Sequence, residues 1–244
     1  VNVKDAATGT ADSLNIVVET QDDSVADSVT QLDAGTITAD DVEAFTIQSI
    51  TDDADGGDNV LVANGDSATS ITVTGDSDLD LTTNSTVLAE LDASTRTGDL
   101  IYTTVADTAI TVTGGSGDDA LTASGSQDTL LGGAGDDTLT GNDLTTLTGG
   151  DGADTFVMNT VSNVNSYSTI TDLSSGDVIQ FTAGSVFASA QQTLGDTAVF
   201  QDFANATVKY LDDNTLDVGW FQFNDNTYII ESGDNAADDF TVDG

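Results

Sequence analysis

The chain has 244 residues, of which 43 are Asp or Glu and only three are Lys or Arg, so its formal net charge is −40 at pH 7. Nucleic acids and anionic membrane surfaces would repel so acidic a chain, whereas bound cations would relieve the repulsion between its own carboxylates. The absence of His and Cys excludes most zinc sites, Ser-His triads and thiol chemistry.

Residues 1–113 consist of short runs in which apolar and polar residues alternate, separated by turn-rich segments such as DDADGGD and TGDSD. This alternation, rich in Thr and Val, is typical of strands and not of helices. The pattern also allows one short helix over residues 38–44, where Thr38 can serve as the N-cap. The runs that predict strands are Leu14–Val18, Phe45–Ile47, Ile71–Val73, Leu79–Leu81 and Ile110–Val112.

Residues 114–157 contain an internal repeat of nine residues. Three copies, GGSGDDALT, GGAGDDTLT and GGDGADTFV, fit the pattern G-G-x-G-x-D-x-U-x, in which U is a large apolar residue, and two degenerate copies separate them. The U positions are spaced by 9, 9, 8 and 9 residues, because the fourth copy is one residue short; they are Leu121, Leu130, Leu139, Leu147 and Phe156. A flexible Gly/Asp linker, the alternative interpretation, has no need of regularly spaced apolar residues.

The composition of the repeat indicates a calcium site. Its first six residues form a tight turn, in which glycines allow backbone angles closed to other residues and let carbonyls point inward. The Asp adds a carboxylate, a hard oxygen ligand of the kind that Ca²⁺ prefers. The last three residues form a strand, and two repeats make one coil, so that turns one coil apart stack on the same side.

We therefore predict two stacked Ca²⁺ sites built from the three intact copies, with Asp137 facing both. Asp128, in a degenerate copy on the other side of the coil, is a weaker candidate ligand. The predicted ligands from the intact copies are Gly115, Gly117, Asp119, Gly133, Gly135, Asp137, Gly150, Gly152 and Asp154.

Residues 158–244 predict a β-rich capping region that begins with a polar connector at 158–168. A short helix is compatible with residues 185–206. The aromatic residues Trp220, Phe221 and Phe223 are interpreted as core, with a surface binding patch as the alternative. The strand signals are Ile170–Leu173, Val178–Phe181, Val218–Phe223 and Tyr228–Ile230.

The three intact copies resemble the RTX repeat of secreted bacterial toxins, proteases and surface proteins. The segment YSTITDLSSGDVIQF (167–181) is similar to the one that closes RTX rolls, I-x-D-F-x-x-G-D-x-I, with Leu173 in place of Phe. This similarity adds Asp172 and Asp177 to the candidate metal ligands. The expected fold is all-β, and its parts are an irregular β-solenoid over 1–113, a parallel RTX β-roll with calcium-binding turns over 114–157 and a capping β region over 158–244.

Three further segments, DDVEAFTIQSI, SITVTGDSDLDL and WFQFNDNTYIIE, resemble stretches of bacterial surface-layer (S-layer) proteins exported by type I secretion. The resemblance implies an extracellular structural protein of the bacterial cell surface that folds on binding Ca²⁺ and assembles with itself, with cell-surface polysaccharide as a further partner. The alternatives are an RTX adhesin or biofilm matrix protein, and the carrier domain of a secreted RTX hydrolase.

We expect no enzymatic activity and no insertion into membranes. Acid pairs such as Asp118-Asp119 and Asp136-Asp137 resemble the two carboxylates of a glycosidase, but the turns of the repeat already explain them. No apolar run in the sequence is long enough to span a membrane.

Overall fold

The computed structural model describes residues 12–20, 31–51, 58–105, 108–125, 127–159, 166–181 and 186–231. It divides into two compact units, Val1–Gln180 and Phe181–Gly244. Parts of two sequence predictions, the turn-rich segment at 52–58 and the connector at 158–168, lie outside the described residues.

In the first unit, the described strands form two sheets of eight parallel strands each. The chain alternates between the sheets, so that the odd-numbered strands lie in one sheet and the even-numbered strands in the other, each in chain order. The odd-numbered strands are β1 (Ser13–Thr20), β3 (Ala44–Thr51), β5 (Ser70–Thr74), β7 (Glu90–Asp92), β9 (Thr111–Thr113), β11 (Thr129–Ala134), β13 (Thr146–Asp151) and β15 (Thr169–Ile170). The even-numbered strands are β2 (Gln31–Thr38), β4 (Asp58–Asn64), β6 (Leu79–Thr83), β8 (Leu100–Thr103), β10 (Ala120–Thr122), β12 (Thr138–Gly141), β14 (Thr155–Met158) and β16 (Val178–Gln180).

Alternating side chains produce one apolar core along the stack of coils. In β5, Ile71 and Val73 are buried while Thr72 between them is exposed, because successive side chains of a strand point to opposite faces. Parallel pairing then places each buried residue beside its equivalent one coil later, as for Leu121 and Leu139. All five U positions of the repeats are fully buried in this core.

The predicted parallel β arrangement is confirmed, with two nonapeptides in each coil. The repeat strands β10 to β14 continue both sheets without interruption from the strands before them. Strands β15 and β16, from the segment that follows the repeats, extend the same sheets, so the first compact unit continues to Gln180.

The missing residue of the fourth repeat does not disturb the register of the strands. Leu130 still lies beside Leu147, and Gly133 beside Gly150. The shortened copy forms a tight turn in which Thr145 donates its N–H to the Asn142 carbonyl at 3.2 Å. The deletion is therefore absorbed in a turn on the side of the coil opposite the GGxGxD turns.

The helix considered for residues 38–44 is wrong. Strand β2 ends at Thr38, and Ala39 continues the parallel ladder by donating its N–H to the Asn64 carbonyl at 2.9 Å. Asp41 has a φ of 66°, which no right-handed helix allows. Ala39 and Val42 are buried, so core packing decides the backbone here and overrides the weak N-cap signal.

The second unit contains one described helix, α1 (Phe200–Asn214), and an antiparallel hairpin, β17 (Val218–Phe223) with β18 (Asn226–Glu231). The helix overlaps only the end of the predicted range 185–206. It begins where the Asp202 carboxylate accepts the Val199 N–H at 2.9 Å, and it buries an apolar face against the hairpin.

Phe221 is the centre of the core of the second unit. It is fully buried and stacks with Phe203 and Tyr228, at ring-centroid distances of 5.5 and 5.3 Å. The interpretation of Phe221 as a core residue is therefore confirmed, whereas Trp220 and Phe223 beside it are only half-buried. None of the helices in the described ranges has the length and apolar character to cross a membrane.

Candidate metal centre

The turns that lead from odd-numbered to even-numbered strands stack on one side of the coils, which we call the Asp/Gly corner. Strand pairing keeps these turns in register, since Gly133 lies beside Gly150 and Thr138 beside Thr155. The corner thus brings together every predicted metal ligand except Asp128. It includes the three intact repeats and the closing segment, at residues 114–119, 132–137, 149–154 and 172–177.

A column of carboxylates, the inner Asp ladder, links these turns; its members are Asp119, Asp137, Asp154 and Asp177. Each carboxylate reaches back one coil and accepts a main-chain N–H there. The Asp137 Oδ1 accepts the Asp119 N–H at 2.7 Å, and the Asp154 Oδ1 accepts the Asp137 N–H at 3.0 Å. The Asp177 Oδ1 continues the series at 3.0 Å from the Asp154 nitrogen. The carboxylates therefore lie between consecutive turns and not out in solvent.

A second column, the outer Asp ladder, consists of Asp78, Asp99, Asp118 and Asp136. Its carboxylates reach forward one coil, and each accepts the N–H of the residue stacked above it at 2.6 to 2.8 Å. The sequence analysis missed this ladder. In the sequence, a member of this ladder lies either directly before an even-numbered strand or directly before an Asp of the inner Asp ladder. The spacing between members varies, so a search for a repeat of nine residues does not reveal them.

The glycines of the repeat are required by close contacts between turns. A side chain at Gly132 would collide with the Asp137 carboxylate of the same turn. Gly133 has a φ of 124°, and a Cβ at this residue would collide with the carbonyl oxygen of Gly115. A Cβ at Gly135 would collide with the carbonyl oxygen of Gly117 in the same way. The next coil repeats these contacts at Gly150 and Gly152. Carbonyl oxygens of the predicted glycine ligands therefore lie between stacked turns.

Asp137 is the least satisfied carboxylate of the inner Asp ladder. Its side chain is 1% exposed, and its Oδ2 has no hydrogen-bond partner. Burial, together with the nearby carboxylates of Asp119 and Asp154, raises the pKa of Asp137 to about 7, and the hydrogen bond from the Asp119 N–H opposes this rise. The surroundings of Asp137 thus disfavour its negative charge unless a proton or a cation compensates it.

Asp119 is buried as deeply but is better satisfied. Its two oxygens accept the N–H groups of Leu100 at 2.6 Å and Gly115 at 2.7 Å. Burial raises the pKa of Asp119 to about 6, against these hydrogen bonds and the charge of Arg96, which lower it. A carboxylate oxygen has more than one lone pair, so these bonds leave capacity for a metal ion.

The closing segment extends the corner as the sequence similarity implied. Asp172 accepts the N–H groups of Gly149 and Gly150, at 3.0 and 2.9 Å. Asp177 accepts a second N–H, from Ser174 at 2.6 Å, and its hydrogen bonds hold its pKa below the usual value. Asp172 therefore caps the glycines of the last repeat, while Asp177 ends the inner Asp ladder.

Asp128 lies on the opposite side of the coil in a different environment. It is fully buried, and its two oxygens accept the Ile110 N–H at 3.1 Å and the Thr104 hydroxyl at 2.7 Å. Protein donors thus compensate both oxygens. The geometry supports a structural role for Asp128 in this turn, and its predicted role as a metal ligand stays a prediction.

The donor set of the Asp/Gly corner fits a hard cation such as Ca²⁺, which takes carboxylate and carbonyl oxygens. Among the described residues, no group of three or more acidic side chains converges on one point. A site in this corner would therefore combine one or two carboxylates of the inner Asp ladder with backbone carbonyls. The buried Oδ2 of Asp137 is the atom that most needs such a cation.

No protein-family model matches the chain, and no curated protein is significantly similar to it. The candidate metal centre therefore rests on its own geometry and charge.

Replacing Asp128 by Ala should destabilise the folded first unit at a fixed, saturating Ca²⁺ concentration. The change leaves the Ile110 N–H and the Thr104 hydroxyl without their acceptor in a buried turn, at about 1–3 kcal/mol for each group. Urea unfolding at that Ca²⁺ concentration measures the loss. Asp66→Ala is the control, since Asp66 is exposed in a turn on the same side and its loss should stay within about 0.5 kcal/mol. Equal stability of the two variants would contradict the structural role.

The raised pKa values predict how stability depends on pH in the absence of metal. Asp119 and Asp137 bind a proton more tightly in the folded chain than in the unfolded chain, so stability should increase as pH falls from about 7 towards about 4. Each group contributes at most about 1.4 kcal/mol per pH unit.

Circular dichroism of the chain in chelator, recorded from about pH 7 towards about pH 4, tests this dependence through the fraction of the repeats that is folded. Asp137→Asn should flatten the curve, because an amide does not titrate. Asp136→Asn removes the same charge from the exposed neighbouring residue and should leave the slope close to that of the unaltered chain. Identical slopes for the two variants would show that general charge repulsion, and not Asp137, sets the dependence.

Proposed function

We propose that this chain is an extracellular calcium-binding structural protein of the RTX type, whose repeats fold when Ca²⁺ binds in the Asp/Gly corner. The observation that carries the proposal is the Asp137 carboxylate, which is buried between two stacked turns with one oxygen unpartnered and a pKa raised to about 7. The net charge of −40 adds a general demand for cations.

Two sites follow from the stacking. The first lies between the turns that end at Asp119 and Asp137, and the second between those that end at Asp137 and Asp154. The turn carbonyls that lie between the stacked glycines complete each oxygen set, as the contacts of Gly133 and Gly150 with the preceding turns suggest. Bound Ca²⁺ supplies the positive charge that keeps these carboxylates ionised and holds successive turns together.

Calcium-dependent folding suits a secreted protein. A chain that stays unfolded at the low Ca²⁺ of the cytosol can be exported by type I secretion and then fold outside, where Ca²⁺ binding stabilises the native state by mass action. We therefore propose that the protein belongs to a self-assembling surface layer at the bacterial cell surface, anchored through cell-surface polysaccharide.

The regular coils support this assignment, because a stack of parallel coils presents similar surfaces at regular intervals to neighbouring copies. We propose no catalytic role for the chain. The acid pairs of the repeats have main-chain partners, since Asp136 and Asp137 accept the N–H groups of Ala153 and Asp119.

A titration with Ca²⁺, followed by circular dichroism, tests the proposed function. In chelator, the β signal of the repeats should be lost, and it should return cooperatively as Ca²⁺ is added. Asp137→Asn should weaken both sites, lowering the apparent affinity at least tenfold, which is about 1.4 kcal/mol. Asp136→Asn is the matched control, because it removes one charge from the same turn at an exposed position.

Two outcomes would count against the proposal. A β spectrum that is unchanged in excess chelator would show that the repeats do not need Ca²⁺. Equal shifts in the two variants would show that Ca²⁺ responds to net charge and not to a site at Asp137.

Electron microscopy of the purified chain, with and without Ca²⁺, distinguishes the candidate assemblies. A surface-layer component should form periodic sheets or filaments only when Ca²⁺ is present. An adhesin or biofilm matrix protein should instead remain dispersed and bind glycans, and a carrier domain should remain dispersed and bind none. Dispersed particles at every Ca²⁺ concentration would therefore exclude the surface-layer assignment while leaving calcium binding intact.

A further inference from the structure

Arg96 lies at the boundary between the irregular coils and the repeats. It belongs to the turn between β7 and β8, in the Asp/Gly corner one coil before the first GGxGxD turn. Its carbonyl accepts the Ser116 N–H at 3.1 Å, and a Cβ at Gly115 would lie 2.7 Å from the same oxygen. Arg96 therefore packs directly against the first intact repeat.

The Arg96 side chain is 1% exposed, which is unusual for a charged residue. Its Nη2 donates to two main-chain carbonyls, Ser77 O at 2.9 Å and Asp99 O at 2.8 Å. Its Nε and Nη1 have no hydrogen-bond partner. Two of the three guanidinium nitrogens therefore have no hydrogen-bond acceptor. The third is held by carbonyl oxygens, as a bound metal cation would be.

Four carboxylates supply the attraction that favours a charge at this place. Burial lowers the pKa of Arg96, and the negative charges that oppose this effect are, from the strongest, those of Asp119, Asp78, Asp99 and Asp76. The attraction from Asp119 is reciprocal, since Arg96 lowers the pKa of Asp119. The positive charge of Arg96 thus lies at the upstream end of the inner Asp ladder.

The strand register shows why the inner Asp ladder starts at Asp119 and does not continue upstream. The position of Asp119 is occupied by Leu100 one coil earlier and by Leu79 two coils earlier, so the carboxylates begin at the coil that follows Arg96. Three coils upstream the same position is Asn59, whose amide donates to Ser49 Oγ at 2.9 Å. Upstream turns are therefore closed by the protein's own side chains.

We propose that Arg96 is a built-in cation: it supplies to the coil between residues 93–99 and 114–119 the positive charge that Ca²⁺ supplies to the coils that follow. The inference extends the proposed calcium function. Arg96 makes the coils before the repeats independent of metal, so that a folded stack exists on which the repeats can order when Ca²⁺ binds.

Hydrogen exchange read by mass spectrometry tests this role in the full chain, in chelator. In the unaltered chain, residues 70–104 should be protected while residues 114–157 exchange rapidly. Arg96→Met removes the charge but keeps much of the volume, and it should speed exchange in residues 70–104 at least tenfold. Arg96→Lys retains a charge and should preserve most of the protection. Equal loss in both variants would assign Arg96 a packing role and overturn the proposal.

A double variant covers the case in which Arg96→Met is too unstable to interpret. Among residues 70–104, Asp78 carries the carboxylate that attracts Arg96 most strongly, so Arg96→Met combined with Asp78→Asn should recover protection in this range. A double variant no better than Arg96→Met would also overturn the proposal.

If the proposed calcium function is wrong, the hydrogen-exchange result differs from the one that overturns the role of Arg96. The repeats of the unaltered chain would then be protected in chelator, while the contrast between Met and Lys at Arg96 would still report on the role of the charge.

Discussion

Register between successive coils is the constraint on which the rest of the structure depends. Parallel strands lie about 4.8 Å apart, which lets an Asp side chain reach the main chain of the adjacent coil. The inner and outer Asp ladders use this reach in opposite directions, so each turn is held by carboxylates from both sides. A slip of one residue would remove these bonds and would also turn the apolar core residues towards solvent.

The same register concentrates negative charge. Carboxylates at equivalent positions are brought together one strand separation apart, and in the buried turns their repulsion is only weakly screened. Asp137 shows the result, with a pKa of about 7 and one oxygen without a partner. At one end of the ladder Arg96 offsets this charge, and at the other the hydrogen bonds from the Ser174 and Asp154 N–H groups hold the pKa of Asp177 below its usual value. The middle of the ladder is where an added cation stabilises most.

The turns on the two sides of each coil are stabilised by different groups. On the Asp/Gly corner, glycines let the backbones of successive turns approach closely, and a side chain at Gly132 would collide with both the Asp137 carboxylate and the Gly149 carbonyl. On the opposite side, Asp128 is surrounded by N–H and hydroxyl donors, and Asn142 and Thr145 form a compact turn with one residue fewer. Intact and degenerate repeats therefore alternate because they occupy different sides, and only one side is left short of positive charge.

The amino-acid sequence by itself determined the period of the coils, the five buried apolar positions, and the turns at Asp119, Asp137 and Asp154, because Gly-Gly-x-Gly-x-Asp and a following apolar residue encode local geometry. It did not reveal the outer Asp ladder, the burial of Arg96 or the donors around Asp128. Those depend on which residues stack one coil apart, and where the spacing is irregular only the tertiary structure decides that. The helix α1 overlaps only the end of its predicted range for a similar reason. Its position depends on packing against the hairpin around Phe221, which the local sequence does not specify.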